Sequence, residues 1–413
     1  MGEINDEMLP DEVTMGVGED TIGIAPEIDD EEISMLDESL AGVEAYDYDA
    51  INFAHWLFER DRLLRGLSIL GSAIKNMSEL LSKVVRMKQV NGLIEFTINT
   101  GDILARVSVP LLNSENILDK EYIVDFKSLF MLVRNSGDKL FIRDKDNFPA
   151  VYVLGGEAEI EHYNLDTTSF DWQCFTDKDN IKTLSSVEFL KVLSNITLSM
   201  SLARRPEDNR VRIDDGLACS NFMYAFCAQT CVGFEGVSLR ALDAVILQKL
   251  LADSAGFDFT ELPKAYAFRT ETACVVIPKI DTNNLKGLYK AVEKPDDTEG
   301  WMPISCHYMY KIVTLIKDMV GGVGNVKVLA EDGRMSVKAL TRTGRVLMFP
   351  VSAVPKDVTF TITMQVVPLA CILAMYKDDP SVRIITDSKG TLTFKSESMW
   401  VALAGMYDAE SNR

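Results

Sequence analysis

The chain has 413 residues, of which 47% are hydrophobic, and a formal net charge of −20. No apolar run reaches the roughly 18 residues of a membrane-spanning helix, and the N-terminus lacks the basic start and apolar stretch of a signal peptide, so we expect a cytoplasmic protein. The seven cysteines are an odd number scattered through apolar segments, which is typical of reduced core residues rather than of disulfides or zinc ligands.

The acidic charge is concentrated at the N-terminus. Residues 1–50 contain 17 acidic side chains and no Lys or Arg, which leaves the rest of the chain with 42 basic against 45 acidic side chains. The low hydrophobicity of this segment predicts a disordered acidic tail over residues 1–45. Two roles are open for the tail: a solubility segment, or a mimic of a nucleic-acid backbone that occupies a basic surface of the same protein.

Residues 46–173 are predicted to form the first of three domains. Apolar residues at helical intervals, with basic residues between them, predict a helix over 62–86 with a possible break. Alternation over 92–109, around the turn chemistry at 99–102, predicts a hairpin. The remaining predicted elements are a helix over 126–133, strands over 139–143, 150–154 and 158–163, and a linker over 166–172.

The same order of elements follows twice more, in domains predicted over 174–296 and 297–413. The second domain has predicted helices over 185–199 and 241–251, strands around 218–228 and over 265–270 and 273–278, and a linker over 294–300. The third has predicted helices over 305–318 and 366–377 and strands over 326–330, 335–340, 346–350, 382–386, 391–396 and 399–403.

Two landmarks give the same period for this repeat. The predicted first helices begin near Leu63, Val187 and Ile304, and the predicted second helices near Phe126, Leu239 and Met364, so each recurs after 113 to 125 residues. A period of this size indicates tandem modules rather than one large enzyme. The predicted fold is therefore α+β, with two helices packed on mainly antiparallel sheets in each of three modules.

Charge is divided unevenly between helices and strands. Six helical windows have a summed charge of +11, whereas the rest of the chain after residue 50 sums to −14. If the helices share one face, that face would attract phosphates and the remaining surface would repel them. The windows are 61–88, 126–134, 185–205, 240–251, 305–318 and 366–377.

Catalytic signals are weak. The three histidines (His55, His162 and His307) have no companion at metal-ligand spacing, and the glycine-rich run at 321–325 lacks the Gly-Lys-Ser/Thr ending of a phosphate loop. Residues 144–147 resemble half a calcium loop, but the Gly and distal Glu that would complete it are missing. We therefore predict neither an enzyme, nor a metal site, nor a bound cofactor.

The order of these elements resembles the bacterial beta-type DNA sliding clamp over about residues 60–407. Residues 169–172 (SFDW) are similar to the phrase at that family's first inter-domain connection. Residues 187–193 (VEFLKVL), followed by 198–201 (LSMS), resemble the first helix of its middle domain, and residues 330–337 and 399–403 resemble its third-domain hairpin and closing strand. The acidic tail over residues 1–45 has no counterpart in the family pattern. The divergence elsewhere suggests a bacteriophage-encoded relative.

The resemblance implies a head-to-tail homodimer, a ring of six domains in which twelve helices line a hole for duplex DNA. The resemblance implies that such a ring tethers a DNA polymerase and has a clamp loader as a further partner, both of which bind through short hydrophobic peptide motifs. Contacts to DNA in such a ring must be numerous, weak and independent of sequence.

The resemblance carries DNA-binding roles onto several basic residues. The loop at 202–210 lies where family members contact DNA after the middle domain's first helix, which makes Arg204, Arg205 and Arg210 candidates. The weaker candidates are Arg62, Arg65, Lys75, Lys83, Arg86, Lys127, Arg134, Lys191, Lys249 and Lys311. For all of them, a solvated surface charge is the alternative interpretation.

The family's partner-peptide cleft lies between the middle and last domains. The resemblance assigns Thr230, Gly233 and Phe234 to its middle-domain wall, and Leu403 and Met406 to its C-terminal wall, with core packing as the alternative for Phe234 and Leu403. The family's usual basic residue after the glycine is absent, and an extra polar tail follows at 407–413. A second function also stays open: an acidic clamp-like interaction or decoy protein that binds host factors without encircling DNA.

Overall fold

The computed structural model describes residues 51–74, 83–153, 156–172, 181–199, 210–214, 217–222, 225–230, 236–281, 300–320, 324–341, 343–387 and 390–405. Within these ranges the chain is α+β, as the sequence predicts, and its strand ladders are antiparallel. Three copies of one unit follow each other. Each copy has one strand, a helix, four strands, a second helix and three strands.

The first unit shows how local sequence sets the element boundaries. Asn91 and Gly92 both adopt positive φ (52° and 79°) in the tight turn between the strands Val84–Val90 and Leu93–Asn99, as two-residue hairpin turns require. The Asp125 side chain caps the helix Phe126–Arg134 by accepting a hydrogen bond from the backbone N–H of Ser128 (2.7 Å). The elements are β1 (His55–Glu59), α1 (Arg60–Ile74), β2 (Val84–Val90), β3 (Leu93–Asn99), β4 (Leu104–Pro110), β5 (Glu121–Asp125), α2 (Phe126–Arg134), β6 (Lys139–Lys145), β7 (Phe148–Val153) and β8 (Gly156–Glu159).

The second and third units repeat this order. The second consists of β9 (Lys182–Ser185), α3 (Ser186–Ser199), β10 (Arg210–Asp214), β11 (Leu217–Phe222), β12 (Ala225–Thr230), β13 (Val237–Arg240), α4 (Ala241–Leu251), β14 (Gly256–Glu261), β15 (Ala265–Arg269) and β16 (Ala273–Pro278). The third consists of β17 (Met302–Pro303), α5 (Cys306–Val320), β18 (Asn325–Glu331), β19 (Arg334–Leu340), β20 (Val346–Ala353), β21 (Phe360–Gln365), α6 (Val366–Met375), β22 (Arg383–Thr386), β23 (Thr391–Lys395) and β24 (Met399–Ala404).

Five of the six predicted helices match the structure to within two residues at each end, but the helix predicted over 62–86 is wrong in its second half. Helix α1 ends at Ile74, and Val84–Val90 is a strand paired with both β3 and β5. Helical spacing of apolar residues misled the prediction here. The β-branched Val84 and Val85 favour extended backbone, and pairing on both sides buries them fully.

Each unit contributes two four-stranded half-sheets, and half-sheets of neighbouring units join edge to edge. One eight-stranded sheet has the order β5-β2-β3-β4-β16-β15-β14-β9, and the other β13-β10-β11-β12-β24-β23-β22-β17. The fourth strand of one unit thus pairs with the eighth strand of the next, β4 with β16 and β12 with β24. The half-sheets β1-β6-β7-β8 and β20-β19-β18-β21 end, within the described residues, at β8 and β20.

The six helices form a continuous row in the packing order α2-α1-α4-α3-α6-α5. Their buried side chains, such as Leu67 of α1, Leu247 of α4 and Ile316 of α5, face the sheets and join two large hydrophobic cores. One core spans the first and second units and the other fills the third. The opposite side of the row is exposed, and we call it the helix face.

Candidate nucleic-acid interface and partner cleft

Three lysines stand on the helix face at intervals along the row. Lys127 on α2, Lys191 on α3 and Lys311 on α5 are all exposed. They lie at the two ends of the row and between them, on helices whose other sides are buried against the sheets. The structure therefore places these three predicted DNA-binding residues on one continuous surface.

The basic residues of α1 and α4 lie on the same row but within local contacts. Arg62 pairs with Glu59 (2.8 Å) and Arg65 with Asp253 (3.2 Å), with about three-fifths of each arginine side chain exposed. The Lys249 ammonium donates to the Ser68 carbonyl (3.4 Å), which links α4 to α1. Exposed ion pairs contribute at most about 1 kcal/mol each, so the arginines can exchange a carboxylate for a phosphate at small cost.

The other predicted DNA-binding residues have mixed positions. Lys83 is exposed just before β2, and Arg134 is half-buried in the last turn of α2. Arg210 is exposed at the start of β10 and donates to the Asp281 carbonyl (2.6 Å). The expectations for Lys75, Arg204 and Arg205 lie outside the described residues.

Arg86 is not on the helix face at all. Arg86 lies on β2 and points to the side of the sheet opposite the helices. It is only 5% exposed and forms ion pairs with Glu121 (2.8 Å) and Asp171 (2.6 Å). Asp171 belongs to the segment after β8, where Phe170 is buried against Val84 and Ile123. A guanidinium held by two carboxylates under a covering segment cannot reach a phosphate, so the DNA-binding expectation for Arg86 is corrected.

Arg86, Glu121 and Asp171 form a cluster of ion pairs. The Arg86 guanidinium holds the pKa of Asp171 below its usual range by hydrogen bonding and by charge. The pKa of Arg86 is itself raised: burial alone would lower it, but hydrogen bonds from Arg86 to Glu121 and Asp171 outweigh that effect. Arg86 and Asp171 are therefore both charged at neutral pH.

Replacing Arg86 with Met is expected to lower the free energy of unfolding by about 2–3 kcal/mol, because Glu121 and Asp171 both lose the buried guanidinium that donates hydrogen bonds to them. The effect is smaller than for a fully buried pair, since most of the Asp171 side chain is exposed. Because the folded pKa of Asp171 is lowered, its contribution is complete above the unfolded value of about 4 and is lost as pH falls through the lowered pKa. The difference in unfolding free energy between wild type and variant, measured by urea denaturation, should therefore narrow below about pH 4.

The matched control is Lys88→Met. Lys88 is about half exposed and lies 3.7 Å from Glu121, so its removal should change the unfolding free energy by less than about 0.5 kcal/mol. Equal losses in the two variants would contradict a specific role for the buried guanidinium.

The predicted partner cleft is only partly described. Leu403 on β24 is 2% exposed and pairs with Ala225, the first residue of β12. Thr230 ends β12 five residues further on, about 16 Å away along the strand, so Thr230 and Leu403 lie near opposite ends of one ladder. Gly233, Phe234 and Met406 lie outside the described residues. The wall of the second unit that adjoins Leu403 is therefore the start of β12, because antiparallel pairing reverses the chain direction.

Large apolar side chains are exposed at the two ends of the row, and the sequence analysis did not identify them. On the third unit they come from α5 and from the β19–β20 hairpin; on the first unit they come from α2 and β7. The sequence feature that could have identified them is an edge strand with apolar residues on both faces, as in β20. These residues are Tyr308, Leu315, Met319, Leu340, Val346 and Met348 at one end and Met131 and Phe148 at the other.

Chemistry-bearing clusters are sparse in the described part of the chain. It contains no group of three His, Cys, Asp or Glu side chains placed to hold a metal ion, and no helix there is long and apolar enough to cross a membrane. Cys274, Cys306 and Cys371 form no disulfide within the described residues. Burial raises the pKa of the Cys306 thiol to about 12, so this cysteine stays protonated and unreactive at neutral pH.

Three repeated units, each with two helices in a common row and half-sheets joined across the unit boundaries, make up the DNA sliding-clamp fold. The DNA polymerase III subunit beta of Pseudomonas aeruginosa is similar in structure, with a TM-score of 0.68 at 11% sequence identity. The Helicobacter pylori beta clamp bound to a DNA ligase peptide gives 0.69 at 11%, and the Bartonella birtlesii sliding clamp bound to griselimycin 0.70 at 12%. Each alignment covers 86% of this chain and 100% of the other.

The likeness is one of structure and not of sequence. No protein-family model matches the chain, and no curated protein matches it.

Proposed function

We propose that this chain is a sliding clamp that forms a closed ring of two copies, encloses duplex DNA, and tethers a DNA polymerase and other replication proteins without sequence preference or catalysis. The observation that carries this proposal is the pairing rule between units. The fourth strand of a unit pairs with the eighth strand of the next, twice within the chain. A third application of the rule joins β20 of one copy to β8 of another, which makes the assembly head to tail.

The side chains at the two ends support this junction. Leu315 and Met319 on α5 and Met131 on α2 are nearly half exposed, and α5 and α2 are the terminal helices of the row. Contact between α5 of one copy and α2 of the next would cover these residues. Burial of such apolar surface contributes about 25 cal/mol per Å², which is the driving force expected of an obligate interface.

The helix face suits a ring that moves along DNA. Its lysines are few and spread over separate helices, and its α1 arginines already have exposed partners. Many weak phosphate contacts supply affinity without reading bases. Val187 is 71% exposed on the same side of α3 as Lys191. Its apolar side chain forms no polar contact with DNA, which favours sliding.

Partner recognition is proposed at the junction of the second and third units, near the start of β12 and the end of β24. The Helicobacter pylori clamp was solved with a DNA ligase peptide, and we propose that this chain likewise accepts short apolar peptides from replication proteins. Leu403 supports this region from the core side, so its role is to hold the wall rather than to touch the peptide.

The test of the proposed function is topological. The protein is incubated with nicked circular plasmid, and the bound fraction is measured by gel filtration before and after a restriction enzyme linearises the circle. Retention on the circle that is lost after cutting is expected, because a ring slides off a free end. Equal retention on both forms, or none on either, would instead favour an acidic clamp-like protein that binds host factors without encircling DNA.

A matched pair of variants separates ring closure from DNA contact in this test. Leu315→Glu places a charge in the proposed junction and should abolish retention on the circle, with a shift from two copies to one in light scattering. Leu93→Glu, at a partly exposed residue of β3 away from both ends, should leave both measurements unchanged.

A further inference from the structure

An ion pair links the first two units beside their strand junction. The Arg240 guanidinium lies 3.8 Å from the Asp102 carboxylate. Asp102 belongs to the turn between β3 and β4 of the first unit, and Arg240 is the N-cap residue of α4 in the second. Asp243 holds Arg240 from within the second unit by accepting hydrogen bonds from its guanidinium and its backbone N–H (2.9 Å each). At this junction, a hairpin turn of one unit thus meets the N-terminus of the next unit's second helix.

The N-cap position of the second helix carries a different charge in each unit. It is occupied by Asp125 in α2, Arg240 in α4 and Gln365 in α6. The second helix of the first unit therefore begins with an acid where that of the second unit begins with a base. An acidic turn that suits Arg240 would repel Asp125, whereas a basic turn would attract it.

The third unit supplies a basic turn. Its turn between β19 and β20 corresponds to the turn of Asp102, because each joins the middle two of the four strands that follow the unit's first helix. The charged residue among the described positions of this turn is Arg345, which is exposed. Within the part of the chain that the structure describes, Arg345 forms no ion pair. Its charge is opposite to that of Asp102.

The Arg345 side chain lies on the helix side of the third unit's sheet. The strand ladder continues past the end of β20, because the Thr341 backbone N–H donates to the Arg345 carbonyl (2.8 Å). Side chains alternate between the two faces of a strand, so Arg345 shares a face with Phe349. Phe349 packs against the third unit's core, which includes the buried residues of α5 and α6. Arg345 is therefore on the same side of the sheet as the helix row.

The opposite end of the row presents acidic groups. The Asp125 backbone N–H donates to the Glu161 carbonyl (3.1 Å), which places the start of α2 beside the residues that follow β8. Burial raises the pKa of Tyr163, and the charges of Glu161 and Asp125 raise it further, so both carboxylates lie near the same ring. One oxygen of Asp125 accepts two hydrogen bonds from Ser128 (2.7 Å each). A second oxygen remains for a cation.

We infer that Arg345 of one copy pairs with Asp125 of the next, with Glu161 nearby, and that this pair reverses the polarity of the Asp102–Arg240 pair within the chain. The inference rests on the proposed ring: if β20 pairs with β8, the turn before β20 meets the start of α2, as the β3–β4 turn meets the start of α4.

The reversed polarity selects which units join. Asp102 opposite Asp125 would set the first unit of one copy against the first unit of another, and Arg345 opposite Arg240 would set a third unit against a second. Both combinations bring like charges together, which costs affinity. The charges thus favour the head-to-tail junction between a third and a first unit.

The test uses two charge reversals in the full chain, Arg345→Glu and Asp125→Arg, with dimerisation measured by analytical ultracentrifugation. Each variant alone brings like charges together at both junctions of a ring, so its dissociation constant should rise by roughly tenfold or more. An equimolar mixture should recover the wild-type constant, because a ring with one copy of each variant has complementary pairs at both junctions. The control Lys264→Glu, at an exposed residue away from both ends, changes the net charge as Arg345→Glu does and should have no effect.

A second variant covers the case in which Asp125→Arg fails to fold because the α2 cap is lost. Asp125→Asn keeps a capping oxygen and removes only the charge. Arg345→Glu should then weaken dimerisation roughly threefold less in the Asp125→Asn background than in the wild type. Equal weakening in both backgrounds, or a mixture of the two reversals no tighter than either alone, would overturn the pair and leave the ring standing. A wild-type chain that stays single at all concentrations tested would overturn the ring, and this pair with it.

Discussion

A chain that carries both Glu157→Cys and Met348→Cys is expected to be joined by a short bis-maleimide into covalently closed rings of two copies. The register proposed between β20 of one copy and β8 of the next follows from the two junctions within the chain, β4 with β16 and β12 with β24. In the first junction, Leu104, the residue that opens β4 after its hairpin turn, pairs with Val276. In the second, Ala225 at the start of β12 pairs with Leu403.

Transferred to β20 and β8, this pattern pairs Val346 with either Ala158 or Glu159, and the alternation of faces decides between them. Val346 and Met348 point away from the helices, as do Glu157 and Glu159, whereas Ala158 is turned inward. Side chains directly opposite each other share a face. The register that satisfies this rule joins Val346 to Glu159 and Met348 to Glu157.

The crosslinked ring should stay on nicked circular DNA in high salt, where the uncrosslinked protein dissociates, and should leave only after the circle is cut. Each single-cysteine variant is the control for reaction with native cysteines. The pair Glu157→Cys and Leu347→Cys, which puts the two thiols on opposite faces, should crosslink far less. Equal crosslinking of both pairs would mean that the edges meet in another register or do not form a ladder.

The order of helices in the repeat could be predicted from the sequence because each helix is an apolar run with clear ends. Helix α4 was predicted over the range that the structure gives, since the run ALDAVILQKLL is bounded by Arg240 and by the polar turn that starts at Ala252. Short strands such as β9 and β13, four residues each, carry no periodic signal of their own. They exist because neighbouring strands supply their hydrogen bonds.

The candidate site was predicted less well, for a physical reason. Whether a basic residue faces a ligand depends on which side of its element is covered, and sequence does not show the covering segment. Arg86 was predicted to lie on a helix, yet it lies on β2 and the segment after β8 covers it. The partner cleft is hard to place from sequence for a similar reason, because the β12–β24 register, which no local pattern encodes, decides which residues lie beside Leu403.

The junction surfaces show the opposite case, in which a readable signal was overlooked. The run from Val346 to Val351 is apolar at nearly every position, although an ordinary edge strand with one solvated face should alternate. Pro350 within this run is itself typical of an edge strand. Together these residues indicate an edge whose outer face is covered by something else.

Reversing the charge of three exposed lysines of the helix face, by Lys127→Glu, Lys191→Glu and Lys311→Glu, is expected to have the largest effect on DNA association. A ring of two copies would lose six candidate phosphate contacts. Each contact adds about 0.9 to the slope of log affinity against log salt, so the slope should fall by up to about 5. Affinity near 0.1 M salt should fall by roughly 10²–10³, measured by fluorescence anisotropy on a short duplex.

The matched control reverses three exposed lysines that lie off the helix face, Lys182→Glu, Lys264→Glu and Lys356→Glu. It changes the net charge by the same amount, so it reproduces the loss of long-range attraction that any added negative charge causes. Because no phosphate contact is removed, the slope against salt should stay at the wild-type value. If both triple variants lost slope and affinity equally, DNA would be responding to the overall charge of the protein, and the helix face would not be its binding surface.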